Sequence, residues 1–296
     1  MAMGTDDYRT RGEYQFGHTD LASRRLAVLA RVFRPSTEAF LYDAPLEGVR
    51  RVLDLGCGPG HTTRLLAELL PQARVTGLDL SADFLAEAAN DSGPGVHYEQ
   101  LDVAREALPA PAADLVFCRY LLSHLPEPAA TLARWSSALA PGGRLLVEEL
   151  EAIHPKQPTF RKYLGLVEAM LADQGSTLFV GPALAALEDP PGLDRVLDRA
   201  YPLPVCAQDA ALMFKMNVPN WRDRPFIRAR HSGEEIAALE AELERLHQAA
   251  EGEPVLWELR QMAWRRRARC GPSRLVMERA LRQCRACQGG FQVLKS

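Results

Sequence analysis

Between residues 51 and 149 short apolar runs alternate with longer amphipathic stretches, and the runs are bounded by glycine, proline or a capping side chain. Arg51–Leu55, Arg74–Leu80, Val96–Glu99, Ala113–Cys118 and Arg144–Glu149 have the length and composition of short strands buried in a sheet. Between them, His61–Leu70 reads as a helix stopped by Pro71, and Ser81–Asn90 as a helix whose first residue is a good N-cap. Helical turns are expected from Cys118 to Leu125, and a helix over Ala129–Leu139 that stops at Pro141-Gly142-Gly143. Strands separated by helices predict parallel βαβ units with helices on both faces of one sheet.

The flanks follow a different rhythm. Residues 1–19, with Tyr8, Tyr14, Phe16 and His18, read as an extended arm. Apolar residues at Leu21, Leu26, Leu29, Val32 and Phe33 predict a helix capped by Asp20, and Ser36–Tyr42 a second short one. After Leu150, Phe160–Ala172 is helical by spacing, and residues 182–232 mix short helices with proline-rich turns. Ser232–Ala250 is a charged helix with Ile236, Leu239, Leu243 and Leu246 on one side, and Val255–Leu259 reads as the last strand.

The candidate chemistry begins at Val52-Leu53-Asp54-Leu55-Gly56-Cys57-Gly58-Pro59-Gly60, where a buried strand runs into glycines at alternate positions. Glycine lets the backbone turn sharply and approach a ligand with no Cβ in the way. A pyrophosphate fingerprint has the spacing G-x-G-x-x-G, which is absent here, and a carboxylate at Asp54 repels phosphate. A ligand bearing an ammonium group suits it better. Asp79, at the end of the next strand, offers two acceptor oxygens of the kind that hold a vicinal diol.

These residues resemble the first motifs of class I S-adenosylmethionine (SAM)-dependent methyltransferases, and the resemblance covers about residues 48–150. It implies that Asp54, Gly56, Cys57, Gly58 and Gly60 surround the methionine end of SAM, and that Asp79 with its neighbour Leu80 holds the ribose. It further implies that Asp102 lies near the adenine amino group with Val103 against the ring, and that Cys118 and Arg119 line the methionine portion, largely through backbone. The segment Leu139–Val147, with Pro141-Gly142-Gly143, matches the turn and fifth strand. The implied fold class is α/β: a Rossmann-like, mostly parallel seven-stranded sheet with helices on both faces, an N-terminal helical arm and helical lid insertions. The expected division is an arm and helices over 1–47, a SAM-binding core over 48–150, a helical lid with a late strand over 151–253, the last strand over 254–269 and a basic tail over 270–296.

The stretch Tyr120-Leu121-Leu122-Ser123-His124-Leu125 resembles bacterial small-molecule methyltransferases of the quinone-biosynthesis type. Tyr14 with Gly17-His18 is similar to the arm of a broad set of bacterial enzymes, and it makes Tyr14 a candidate for the methionine carboxylate. His124 is the first candidate base, since a histidine titrates near neutrality and the loop after the fourth strand faces the sulfonium in this family. Glu148 and Glu149 end the fifth strand and point to opposite faces, so one can face the cleft; Glu149, further along the strand, is the candidate for contact with substrate. His154 reads as exposed. Met213, Phe214, Lys215 and Met216, with Trp221 and Arg222, fall where the family inserts a lid.

Composition narrows this reading. The chain has 296 residues, 47% hydrophobic and 25% charged, and a net charge of −3, which exerts no global pull on nucleic acid or anionic lipid. Ten basic residues and only Glu278 on the acidic side lie between Arg260 and Lys295. Arg265-Arg266-Arg267 is read as a strand emerging into solvent. Cys284 and Cys287 lack a second ligand pair, so no metal is expected. No membrane span or leader is evident, and a cytoplasmic monomer or homodimer acting on a small-molecule acceptor at O, N or C is expected, without a nucleic-acid partner. Two alternatives stay open: an RNA or protein methyltransferase docking through the basic tail, and a SAM-binding protein without methyl transfer.

Overall fold

The computed structural model describes residues 20–125 and 127–268. Seven strands form one sheet: β1 (Arg51–Leu55), β2 (Arg74–Asp79), β3 (Val96–Gln100), β4 (Ala113–Arg119), β5 (Leu139–His154), β6 (Leu193–Val205) and β7 (Val255–Arg266). Their order is β3-β2-β1-β4-β5-β7-β6. The first five run parallel, whereas β7 lies antiparallel between β5 and β6. The order reverses direction between β1 and β4, and in open sheets of this kind ligands bind outside the strands' carboxyl ends at that point.

The helices are α1 (Asp20–Asp43), α2 (His61–Leu69), α3 (Ala82–Ala89), α4 (Pro128–Ser137), α5 (Pro158–Asp173), α6 (Gly181–Ala185), α7 (Ala207–Trp221), α8 (Pro225–Arg228) and α9 (Gly233–Gln248). Leu122–His124 is a single 3-10 turn. Ser81 caps α3 by accepting from Phe84 N–H. Ser232 and Glu235 form a reciprocal capping box at the start of α9, whose Ile236, Leu239, Leu243 and Leu246 are all buried.

Three features differ from the sequence-based expectation. The two N-terminal helices are one: α1 continues through Pro35. Proline removes one backbone donor and disfavours the interior of a helix, but Phe33 and Phe40 on either side are fully buried and hold both halves against the sheet. Second, β5 starts at Leu139, before the Pro-Gly-Gly turn, and its register against β4 shifts between Leu139 and Arg144. Gly143 permits this, because a Cβ there would meet the carbonyl oxygens of Ala113 and Ala140 at 2.9 Å. Third, the late strand in the lid region is the 13-residue β6, within a segment read as short helices and turns, and α7 that follows it is a full 15-residue helix.

One core cluster lies between the sheet and α5, α7 and α9, where Tyr163 stacks on Phe214 at 4.3 Å and Phe214 on Trp257 at 5.9 Å. Met213, Phe214 and Met216 are buried, Trp221 is packed beside Tyr163, and Lys215 pairs with Glu244. Arg222 pairs with Glu240 of α9. At the end of β7, Arg265 and Arg267 are exposed, and Arg266 donates to the carbonyls of Ser137 and Leu139. The remaining basic tail, with Cys270, Cys284 and Cys287, lies outside the described residues.

Candidate functional site

Loops from β1, β2, β3 and β4 meet at the carboxyl edge of the sheet. Gly56, Gly58 and Gly60 all have left-handed backbones, with φ of 67°, 52° and 79°. An L side chain is strained at each of these positions. The Gly56 and Cys57 amides donate to Leu78 O at 2.8 and 3.0 Å, tying the loop to β2. A Cβ on Gly60 would collide with the hydroxyl of Tyr98, and one on Gly56 with Leu121. Above Gly58 the nearest atom is Leu26 Cδ1 of α1, 3.7 Å from where a Cβ would lie.

Asp79 sits at the centre of this edge. Its Oδ2 accepts from Gly58 N–H at 2.7 Å and its Oδ1 from Ser81 N–H at 2.9 Å. Leu80, beside it, is 44% exposed. Asp54 is buried beneath the loop and accepts from Thr63 Oγ1 at 2.6 Å. Burial pushes its carboxyl up to about 7, against the lowering effects of the Thr63 hydrogen bond and the Arg119 guanidinium; the neighbouring Asp79 adds a further upward push. Arg119 lies at the end of β4, where its Nη1 donates to Thr37 Oγ1 of α1 at 2.9 Å. Asp54 and Arg119 thus set an anionic and a cationic group at the ends of adjacent strands.

Asp102 takes the first position of a turn, its Oδ1 accepting from Ala104 N–H at 3.0 Å. Val103 corrects an expectation: it faces the core, and its carbonyl accepts from Trp135 Nε1 at 2.8 Å. The apolar surface at this edge is instead Leu80 and half-buried Leu101. Cys118 and Cys57 are buried thiols, both pushed up by burial. Tyr14 lies outside the described residues.

The candidate reactive groups sit differently from the expectation. Burial and the positive charge of Arg25 push His124 down to about 4, so its imidazole is neutral and a weaker base than a free histidine. Neither Glu148 nor Glu149 opens onto a cleft; both are fully buried. Glu148 faces α1 and accepts from Ser36 Oγ at 2.5 Å, Thr37 Oγ1 at 2.6 Å and Gln261 Nε2 at 2.8 Å. Glu149 faces the other way, under the loop after β4, where its Oε1 accepts from the Leu121 and Leu122 amides. A wall on this side comes from residues the sequence did not single out. Arg25 of α1 is buried, and its charge acts on both His124 and Tyr163. Tyr163 OH accepts from Asn217 Nδ2 at 3.1 Å. Tyr120, the single non-glycine residue with positive φ among those described, packs on Phe33 at 5.1 Å. His154 is largely exposed and meets Glu258 at 3.0 Å.

The comparisons with known proteins fall on this edge. Residues 53–145 match the family described as methyltransferase domain, a span that begins in β1 and ends in β5. They form a class I SAM-dependent methyltransferase domain. The cofactor of such a domain is SAM. The chain is 46% identical over 115 residues to a trans-aconitate 2-methyltransferase of Methylobacterium nodulans, covering 39% of this chain and 43% of that protein. It is 38% identical over 157 residues to the enzyme of the same name from Methylobacterium radiotolerans, covering 53% and 54%. The chain thus spans about half the length of these curated relatives. A Bacillus halodurans protein assigned to the methyltransferases shares the fold, with a TM-score of 0.53 at 20% identity over 79% of this chain and all of that one. Among the described residues no helix is long and apolar enough to cross a membrane.

The geometry fits SAM on its own terms. The methyltransferase domain offers a loop with three glycines in a backbone conformation that L side chains rarely adopt, an aspartate at the second strand end, and the Asp54 carboxyl and Arg119 guanidinium near the ends of adjacent strands. Thr63, Ser81 and Tyr98 complete the loop and were not legible as site residues, because hydroxyls at such positions also serve as ordinary caps.

Proposed function

We propose that this chain is a cytoplasmic enzyme that transfers a methyl group from SAM to a small-molecule acceptor. The observation that carries the reading is the Asp79 carboxylate, fixed between Gly58 N–H and Ser81 N–H opposite three left-handed glycines. Asp79 takes the ribose hydroxyls, Asp54 the ammonium group and Arg119 the carboxylate of the amino-acid head. Asp102 lies towards the adenine, with Leu80 and Leu101 as its apolar surface. SAM supplies a methyl group already activated on a sulfonium, so the protein's work is to place the acceptor and exclude water.

The acceptor carries a carboxylate and is methylated on oxygen. The names of the relatives point to trans-aconitate, which bears three carboxylates. A carboxylate oxygen is already deprotonated at neutral pH and needs no general base. That agrees with a site whose histidine is held at about 4 and whose glutamates are buried. Arg25 supplies the cation, facing His124 and Tyr163. The full chain with SAM and trans-aconitate is expected to give an ester that is hydrolysed in mild alkali, detected by mass spectrometry. Arg25→Leu is expected to raise KM at least about tenfold, the loss of one charge-assisted contact. A product methylated on nitrogen or carbon defeats the carboxylate reading; no transfer to any acceptor in a metabolite extract defeats the enzyme.

Cofactor binding is also expected to depend on pH. Asp54 is half protonated near pH 7, and an ammonium group favours its anion. Affinity for S-adenosylhomocysteine is therefore expected to rise with pH up to about 7 and to fall by up to about tenfold per pH unit below it. Calorimetry in buffers of different ionisation enthalpy should show close to one proton released at pH 6, and none in Asp54→Asn. Affinity that is flat from pH 5.5 to 7.5 removes Asp54 from this role.

A further inference from the structure

Glu149 is fully buried in β5, five residues before the strand ends at His154. Its Oε1 accepts two successive backbone amides, Leu121 N at 2.8 Å and Leu122 N at 2.7 Å. Its Oε2 is buried and has no hydrogen-bond partner among the described residues. The two amides belong to the turn that leaves β4. That turn begins with Tyr120 at φ 55°, an uncommon conformation for a bulky side chain, held only where its surroundings enforce it. On one side Tyr120 packs against Phe33, and Phe33 against Trp257 at 5.2 Å. On the other side the Leu121 side chain lies over Gly56, within 3.0 Å of where a Cβ would be. One turn therefore connects the cofactor loop with the aromatic core of the lid.

We propose that Glu149 is a positioning residue that, as a neutral carboxyl group, pins the Tyr120–Leu122 turn against the glycine loop. A neutral carboxyl group serves here because Oε1 takes both amides and Oε2 has no hydrogen-bond partner among the described residues to support a charge. The groups facing it agree. Glu148 precedes it on β5 and disfavours a second negative charge, and Cys118 on β4 is a buried thiol. Arg260, its register partner on β7, is engaged by Glu151 and Asp198. Burial, followed by Glu148 and opposed by the two amides, raises Glu149 to about 8. As pH rises towards that value a growing fraction of the chain carries an unsupported anion under the turn, and the turn loosens.

This inference rests on the proposed function only where a ligand is used to read it. Amide hydrogen exchange reads it without one. Protection factors of the Leu121 and Leu122 amides are expected to fall with rising pH up to about 8 and level off above it in the wild-type chain, and to hold in Glu149→Gln, whose amide oxygen keeps both bonds. In Glu149→Ala they are expected to be low at every pH. Parallel wild-type and Glu149→Gln curves overturn the proposal, as does an Ala variant with protected amides. If Glu149→Ala fails to fold, the first comparison alone decides. With S-adenosylhomocysteine as probe, wild-type affinity is expected to fall about tenfold per pH unit above 8 relative to Glu149→Gln. The probe's own amine titrates identically with both proteins, so the difference between the curves is the readout. Curves that coincide overturn the proposal. If the probe binds neither protein at any pH, the proposed function fails, and the exchange data still judge Glu149.

Discussion

Asp79→Ala is expected to lower affinity for S-adenosylhomocysteine by two to three orders of magnitude at pH 7.5. The Asp79 carboxylate has two functions. Its oxygens hold the Gly58 and Ser81 amides at 2.7 and 2.9 Å, and the carboxylate is assigned to the ribose diol. Each hydrogen bond to a charged acceptor contributes about 1.5–3 kcal/mol, so two lost bonds towards the lower end of that range amount to about 3–4 kcal/mol. Loss of the Gly58 tether adds to this, because that amide no longer has its acceptor. Isothermal calorimetry measures the effect, with circular dichroism confirming that the sheet is intact. A change of less than tenfold would mean that the sugar is held elsewhere.

The parallel half of the fold was legible because its central strands are largely buried and its turns carry unambiguous punctuation. Arg51–Leu55 is almost wholly buried and runs into the glycine loop, and Ser81 caps the helix it was expected to cap. The antiparallel half was less so. β6 alternates exposed and half-buried positions and contains Pro202 and Pro204, which are tolerated because it is an edge strand. In sequence the same residues look like a proline-rich turn. Pro35 misled in the opposite direction, since tertiary packing around Phe33 and Phe40 outweighs a local preference.

At the site, Asp54, Asp79 and the glycines could be read from type and spacing, since few residues meet those backbone demands. The acidic pair within β5 could not. Alternation predicts that Glu148 and Glu149 face opposite sides, and they do, but not that both sides are closed. Glu148 is covered by α1 and Glu149 by the turn after β4, contacts between segments more than 25 residues apart. Arg25 was missed for the same reason: one arginine among several on α1 gives no sign that it is turned inward.

The closure over Glu148 leads to the second large effect. Glu148→Ala is expected to destabilise the chain by about 3–5 kcal/mol, because each buried donor left unsatisfied costs about 1–3 kcal/mol. The loss leaves the Ser36 and Thr37 hydroxyls and one Gln261 amide contact without their acceptor, and opens a void between α1 and the sheet. For a chain of this size the melting temperature should drop by roughly 2–4 °C per kcal/mol, about 6–20 °C in all. Glu148→Gln is expected to cost much less, because hydroxyl hydrogens at Ser36 and Thr37 can reverse to suit a new donor. The damage should also reach the cofactor. Thr37 Oγ1 links Glu148 Oε2 to Arg119 Nη1, so the guanidinium assigned to the amino-acid carboxylate loses its anchor together with α1. Glu148→Ala is therefore expected to weaken S-adenosylhomocysteine binding as well as stability, although Glu148 is walled off from any ligand by α1. Melting within 2 °C of the wild type would show that α1 is held by its aromatic packing alone. Unchanged binding in a destabilised variant would show that Arg119 is positioned without Thr37.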